Sequence, residues 1–196
     1  MGVFGGTFDP PHLGHLILAA EAADQLQLNK VLWVITPDPP HKQGQVLRPV
    51  EVRLKLLDAA IRCEPKFEIS RVDILRPGPQ YAVDTLALLS AQNQGSQLFY
   101  LIGGDSLHDL PNWYAPERLL AQIAGLGVMR RPGDSVDLQA LNQKLSGLQE
   151  KVCFIDSPLL DISSRDLRER IRSGRHFHHF LPEAVWALIQ TNQYYR

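Results

Sequence analysis

This chain has few cysteines, no long apolar stretch and almost no net charge, and each shortage removes a class of protein. The two cysteines, Cys63 and Cys153, are far apart and in no CxxC pattern, so neither a disulfide framework nor a thiolate metal site is expected. Both are read as buried free thiols. No run approaches the ~20 apolar residues of a membrane span. Met1 leads directly into a short apolar run and glycines, with no basic leader and no cleavage site, so the expected location is the cytoplasm. Twenty basic against 21 acidic side chains give a formal charge of -1, so the chain as a whole does not attract polyanions. Any grip on phosphate must be local. Repeats, low-complexity tracts and linkers are also missing.

What remains is an ordinary globular composition, 44% hydrophobic over 196 residues, enough for one substantial core and a single domain over 1–196. Short runs rich in Val, Ile, Leu and aromatics alternate with longer amphipathic stretches, the pattern of βα units around a parallel sheet. Strands are predicted at Gly2–Phe4, Val31–Thr36, Phe67–Ser70, Leu98–Gly103, Gly125–Met129 and Val152–Ile155. Helices are predicted at His12–Leu26, Pro49–Ile61, Val83–Gln92, Pro116–Gln122, Val136–Leu148 and Ser164–Arg172. Gly174 is placed to stop the last of these, and Pro182 to open a final helix with Val185, Trp186, Leu188 and Ile189 on its apolar face. Ser163 and Asp166 have the spacing of a capping box. The fold class is α/β: a Rossmann-like open parallel sheet with helices on both faces. Ligands then sit beyond the carboxyl ends of the strands, where strand order reverses.

The loops there hold the chemistry. Gly5 and Gly6 are expected where the backbone turns sharply, ahead of a helix whose first amides and dipole attract phosphate. His12 and His15 stand three apart on that helix's first turn, with Gly14 between them leaving the backbone open to a phosphate. Two imidazoles beside helix amides suit a triphosphate and charge developing at phosphorus. Pro39 and Pro40 stiffen the approach to His41 and Lys42. Ser163 and Ser164 offer a second set of hydroxyls and amides, with Arg168 one turn on. Trp113 offers a face for a flat heteroaromatic ring, and Asp105, after Gly103 and Gly104, suits ribose hydroxyls. The arginines between Arg165 and Arg175 lack interleaved aromatics, which argues against an RNA surface. His176, His178 and His179 have no carboxylate or cysteine beside them at ligand spacing and are read as structural or surface residues, and no metal site is assigned.

The string GGTFDPPHLGH, Gly5 to His15, resembles the HxGH-type motif of the nucleotidyltransferase superfamily, and in this extended form the bacterial nicotinate-nucleotide adenylyltransferases. The resemblance continues in order through Pro39 to Lys42, Arg53 with Leu54, GPQYAVDTL at Gly78–Leu86, LIGGDSL at Leu101–Leu107, Trp113, RRPG at Arg130–Gly133 and ISSRDLRERI at Ile162–Ile171. It implies adenylyl transfer from ATP, with Mg²⁺, to nicotinate mononucleotide, giving deamido-NAD and pyrophosphate; the alternatives are an adenylyltransferase preferring nicotinamide mononucleotide or another phosphorylated acceptor, or a non-catalytic nucleotide-sensing module. In that scheme His12, His15, Lys42 and Arg168 are catalytic, and Gly5, Gly6, Thr7, Phe8, Gly103, Asp105, Ile162, Ser163 and Ser164 bind ATP. Tyr81, Thr85, Trp113 and Arg131 would bind the pyridine nucleotide, and the last helices would complete the ATP site. Two positions depart from the pattern: Arg165 and Ala82, each where relatives carry Thr. The partners are small molecules, with no nucleic acid and no membrane. A homo-oligomer is left open.

Overall fold

A computed structural model describes residues 1–40, 46–129, 135–158 and 160–196. Six parallel strands form one sheet in the order β3-β2-β1-β4-β5-β6. They are β1 Gly2–Gly6, β2 Val31–Ile35, β3 Phe67–Ser70, β4 Phe99–Gly103, β5 Gly125–Met129 and β6 Val152–Ile155. The first five helices are α1 Leu13–Gln25, α2 Val50–Ile61, α3 Ala82–Gln92, α4 Gly104–Asp109 and α5 Pro116–Gln122. The other four are α6 Leu138–Lys144, α7 Leu148–Lys151, α8 Ser164–Arg172 and α9 Glu183–Asn192.

Side chains alternate across the sheet, as the pleat requires. On β2, VLWVI, every residue is buried: Val31, Trp33 and Ile35 pack with α1 and α2, while Leu32 and Val34 pack with α3 and α5. Such a run reads as a strand covered on both faces. A third apolar cluster lies outside the sheet, where Leu56 of α2, Leu167 and Ile171 of α8, and Val185 and Ile189 of α9 meet. Gly174, at φ +68°, ends α8 as expected, the Arg175 amide donating to the Arg170 carbonyl at 2.9 Å and the Gly174 amide to that of Ile171 at 3.1 Å. Pro182 caps α9, and Trp186 and Leu188 pack partly buried against that third cluster.

Three expectations need correction. The helix expected over Val136–Leu148 is two, because Gly147 takes φ +83° and breaks it before α7. The segment Gly103–Ser106, expected as a loop, opens α4. Neither cysteine is buried: Cys63 is exposed in the turn after α2, and Cys153 is half-buried on the edge strand β6, both as free thiols. No helix among the described residues is long and apolar enough to cross a membrane.

The sheet opens where its order turns. From β1 the chain crosses to β2 on one side, and β4 is added on the other. β1 stays in register with β2 over five residues, to Gly6 opposite Ile35, but pairs with β4 only at Gly2 and Val3. Beyond Val3 the two strands are no longer paired, and their carboxyl ends border a crevice at the switch point.

Candidate active site

That crevice widens into a cavity of about 1010 Å³. All fifteen described residues among the expected site residues line it; Lys42 and Arg131 lie outside the described residues. One wall is the end of β1, the loop after it and the start of α1; the others are the starts of α3, α4 and α8 with the segment around Trp113.

The β1 loop is tight for reasons other than the expected one. Gly5 and Gly6 do not adopt left-handed backbone; they belong to β1 and are small because neighbours press on them. A Cβ on Gly5 would sit 3.1 Å from the Tyr100 hydroxyl, and one on Gly6 3.0 Å from the Phe8 ring. The left-handed residue is Phe8, φ 46°, almost fully buried and packed between Phe4 and Trp33 at ring separations of 5.3 and 5.2 Å. Burial of that ring offsets the cost of the backbone it must adopt.

His12 caps α1 and His15 occupies its third helical position. The His12 amide donates to Nδ1 of His15 at 3.2 Å, so in its neutral form His15 carries its proton on Nε2. The imidazoles stack, with centroids 3.6 Å apart and planes 23° apart. They therefore act as one unit, not as two independent contacts. The side chain that Gly14 lacks would meet the His12 ring at 3.2 Å and Ile162 at 3.8 Å, so the glycine makes room for the stacked histidine as well as for any ligand in the cavity it borders.

At α8 the Ser163 hydroxyl accepts from the Asp166 amide at 3.1 Å and donates to the Asp166 carboxylate at 2.6 Å. Half of the expected capping box is thus formed, with the carboxylate taking the hydroxyl instead of the backbone amide. Ser164 Oγ donates to the Pro10 carbonyl at 2.8 Å and Arg168 Nη1 to that of Asp9 at 2.7 Å. These two residues bind the β1 loop to α8. The amides of Ser164 and Arg165, in the first turn, have no intrahelical acceptor and remain at the cavity edge.

On the far side Trp113 is half-buried, edge-on to Tyr100 with centroids 6.2 Å apart. Tyr81, which caps α3, pairs with the exposed Tyr114 at 4.3 Å. The Thr85 hydroxyl is engaged: it donates to the Asp73 carboxylate at 2.8 Å, and Arg76 pairs with Asp73 at 3.0 Å. Burial pushes the Asp73 carboxyl above the ordinary carboxylate range, against the opposing pull of Thr85 and Arg76. Asp105 is exposed at the start of α4, and Gly103 before it faces open space.

Sequence reasoning missed several residues of this region. Arg53, 2% exposed, donates to the carbonyls of Arg48 at 2.9 Å, Thr7 and Thr36 at 3.0 Å, and Pro37 at 3.3 Å. Burial lowers its guanidinium from the usual value, with Asp9 opposing. Asp73, Tyr100, Tyr114 and the buried Asp9 also belong to the region. An arginine in a helix pattern and an aspartate between Phe and Pro carry no sequence signal for burial; Arg53 and Asp9 both lay within segments of family resemblance, but neither was given a role there.

The fold and the cavity define a class first: residues 3–170 match the family described as cytidylyltransferase-like. A probable nicotinate-nucleotide adenylyltransferase of Thermomicrobium roseum is 43% identical over 196 residues, covering 100% of this chain and 91% of the relative. One from a Roseiflexus species is 43% identical over 197 residues, with 100% and 98% covered. The chain belongs to the nicotinate-nucleotide adenylyltransferase family and is a nucleotidyltransferase. Its fold is also that of Plasmodium falciparum nicotinic acid mononucleotide adenylyltransferase complexed with NaAD, with a TM-score of 0.82 at 16% identity, covering 99% of this chain and 96% of that one.

Proposed function

We propose that the protein transfers the adenylyl group of ATP to the phosphate of nicotinate mononucleotide in NAD biosynthesis, forming deamido-NAD and pyrophosphate. A phosphate oxygen of the mononucleotide attacks the α-phosphorus, and the bond from that phosphorus to the bridging oxygen breaks with pyrophosphate keeping the electron pair. The nucleophile is already anionic at neutral pH, its second pKa being near ~6, so no general base is required. Catalysis is positioning and charge stabilisation. The observation that carries the reading is one cavity joining the stacked His12–His15 pair and two helix starts to an aromatic wall at Tyr81 and Trp113.

In this reading the Nε2–H of His15 faces the reacting phosphoryl group, His12 supports it, and the α8 amides with Arg168 take the outer phosphates. Lys42 adds a point charge and Arg131 a contact to the pyridine nucleotide. Magnesium enters with ATP as part of that substrate and screens the triphosphate charge. The reaction is assigned to the cytoplasm.

The acceptor divides the reading. Ala82 has no hydroxyl and that of Thr85 is engaged by Asp73, so side chains of α3 give the pyridine carboxylate little. The first-turn amides and dipole of α3 still favour an anion over a neutral amide. Pyrophosphate release should therefore show kcat/KM for nicotinate mononucleotide at least ~10-fold above that for nicotinamide mononucleotide, the worth of ~1.4 kcal/mol. Equal values would replace the acid-specific reading with a dual one; no release with either would remove the activity.

A further inference from the structure

The turn that follows α9 reaches back under the β1 loop. Gln193 and Tyr195 both take left-handed backbone, φ 52° and 69°, a conformation unfavourable for residues with a Cβ, and the second of these bends aims Tyr195 inward until it is 2% exposed. Its hydroxyl donates to Oδ1 of Asp9 at 2.7 Å, across 186 positions of sequence. Burial and the Asp9 carboxylate hold that hydroxyl protonated, far above the ordinary tyrosine range.

Asp9 is three residues before His12 and is itself 1% exposed. Its carboxylate takes Tyr195 on one oxygen and the Arg48 amide, at 3.3 Å, on the other, while its carbonyl takes Arg168. The Arg48 guanidinium lies over the Tyr195 ring, 5.2 Å from its centroid. Arg48 also offers its carbonyl to Arg53, whose guanidinium holds the Thr7 carbonyl. A closed set of contacts thus runs from Tyr195 through Asp9 and Arg48 to Arg53 and back to the loop at Thr7. Neither Tyr195 nor Asp9 lines the cavity, whereas Thr7, Phe8 and His12 do, so the pair acts on substrate only through the β1 loop.

We infer that Tyr195 is a positioning residue for adenylyl transfer: its hydroxyl, through Asp9, holds the β1 loop so that the His12–His15 pair meets the reacting phosphate in register. The inference rests on the adenylyl-transfer reading. A loop that shifts by a fraction of an ångström still binds both substrates but misaligns the reacting groups, and such errors act on kcat.

The test is steady-state kinetics on the purified full chain, with wild-type turnover established first; a wild type inert toward every acceptor defeats the reaction and not the positioning role. Y195F keeps the ring and removes the hydroxyl. The expected result is a kcat lowered ~10-fold or more with KM for both substrates within about twofold, measured well below the melting temperature. D9A should lower kcat likewise, and Y195F added to D9A should cost nothing further, because the two act as one link. Y194F, on the neighbouring ring, should leave kcat unchanged. A folded Y195F with wild-type kcat overturns the inference, as do additive losses in the double variant. If Y195F does not fold, D9A alone decides by the same split of kcat from KM. Loss of the fold in both variants also overturns it, since the contact would then serve stability only.

Discussion

At the scale of single residues, the glycines around the cavity divide by what a side chain would meet. Gly6 is closed by the Phe8 ring at 3.0 Å, and that ring is locked between Phe4 and Trp33. Gly103 has nothing within contact distance and ordinary backbone, φ -83° and ψ 164°, so alanine fits the free protein there. It occupies cavity space instead. Gly6→Ala should lower stability by ~1–3 kcal/mol, the usual cost of overpacking. Gly103→Ala should shift stability by less than ~0.5 kcal/mol while raising KM for ATP several-fold. Urea unfolding beside initial rates separates the two, and equal destabilisation by both would refute the division.

At the scale of elements, the β1 loop is positioned largely from outside itself. Arg53 of α2 holds the carbonyls of Thr7, Thr36, Pro37 and Arg48, joining the ends of β1 and β2 to the start of its own helix. Arg53→Met fits the space but strips four carbonyls, one buried and three part-buried, of their donor, and ~3–5 kcal/mol of stability should be lost. Arg53→Lys should recover less than half, because one ammonium cannot span the acceptors a planar fork reaches. Full recovery by lysine would show that only the charge matters. The local elements were legible in the sequence: an unbroken apolar run marks β2, Gly174 and Pro182 bound the last helices, and the glycine–histidine string sits on the strand–loop–helix it suggested. What was not legible depends on contacts distant in sequence. Nothing near Asp9 announces Tyr195, and nothing in the spacing of His12 and His15 distinguishes rings that stack from rings that diverge. Even the two loop glycines were noticed for a turn they do not make, because the close neighbours that require them, Tyr100 and Phe8, are set by packing.

At the scale of the whole molecule, the Asp73 group links folding to protons. The unfolded chain releases that proton near the ordinary carboxyl value of 3.8, whereas burial raises it in the fold. Between the two values the native state binds more protons than the unfolded state, so the group's contribution to stability falls as pH rises through that window and is flat above it. Most paired carboxylates act in the opposite direction. Asp73→Asn keeps an acceptor for Thr85 and removes the titration. Global unfolding by urea, followed from pH 3.5 to 8, should therefore give a wild-type curve that declines relative to the variant on leaving the acid end, then runs parallel to it. A wild-type curve that instead rises relative to the variant over the same range would mean that Arg76 and Thr85 outweigh burial, and that Asp73 is held charged in the fold.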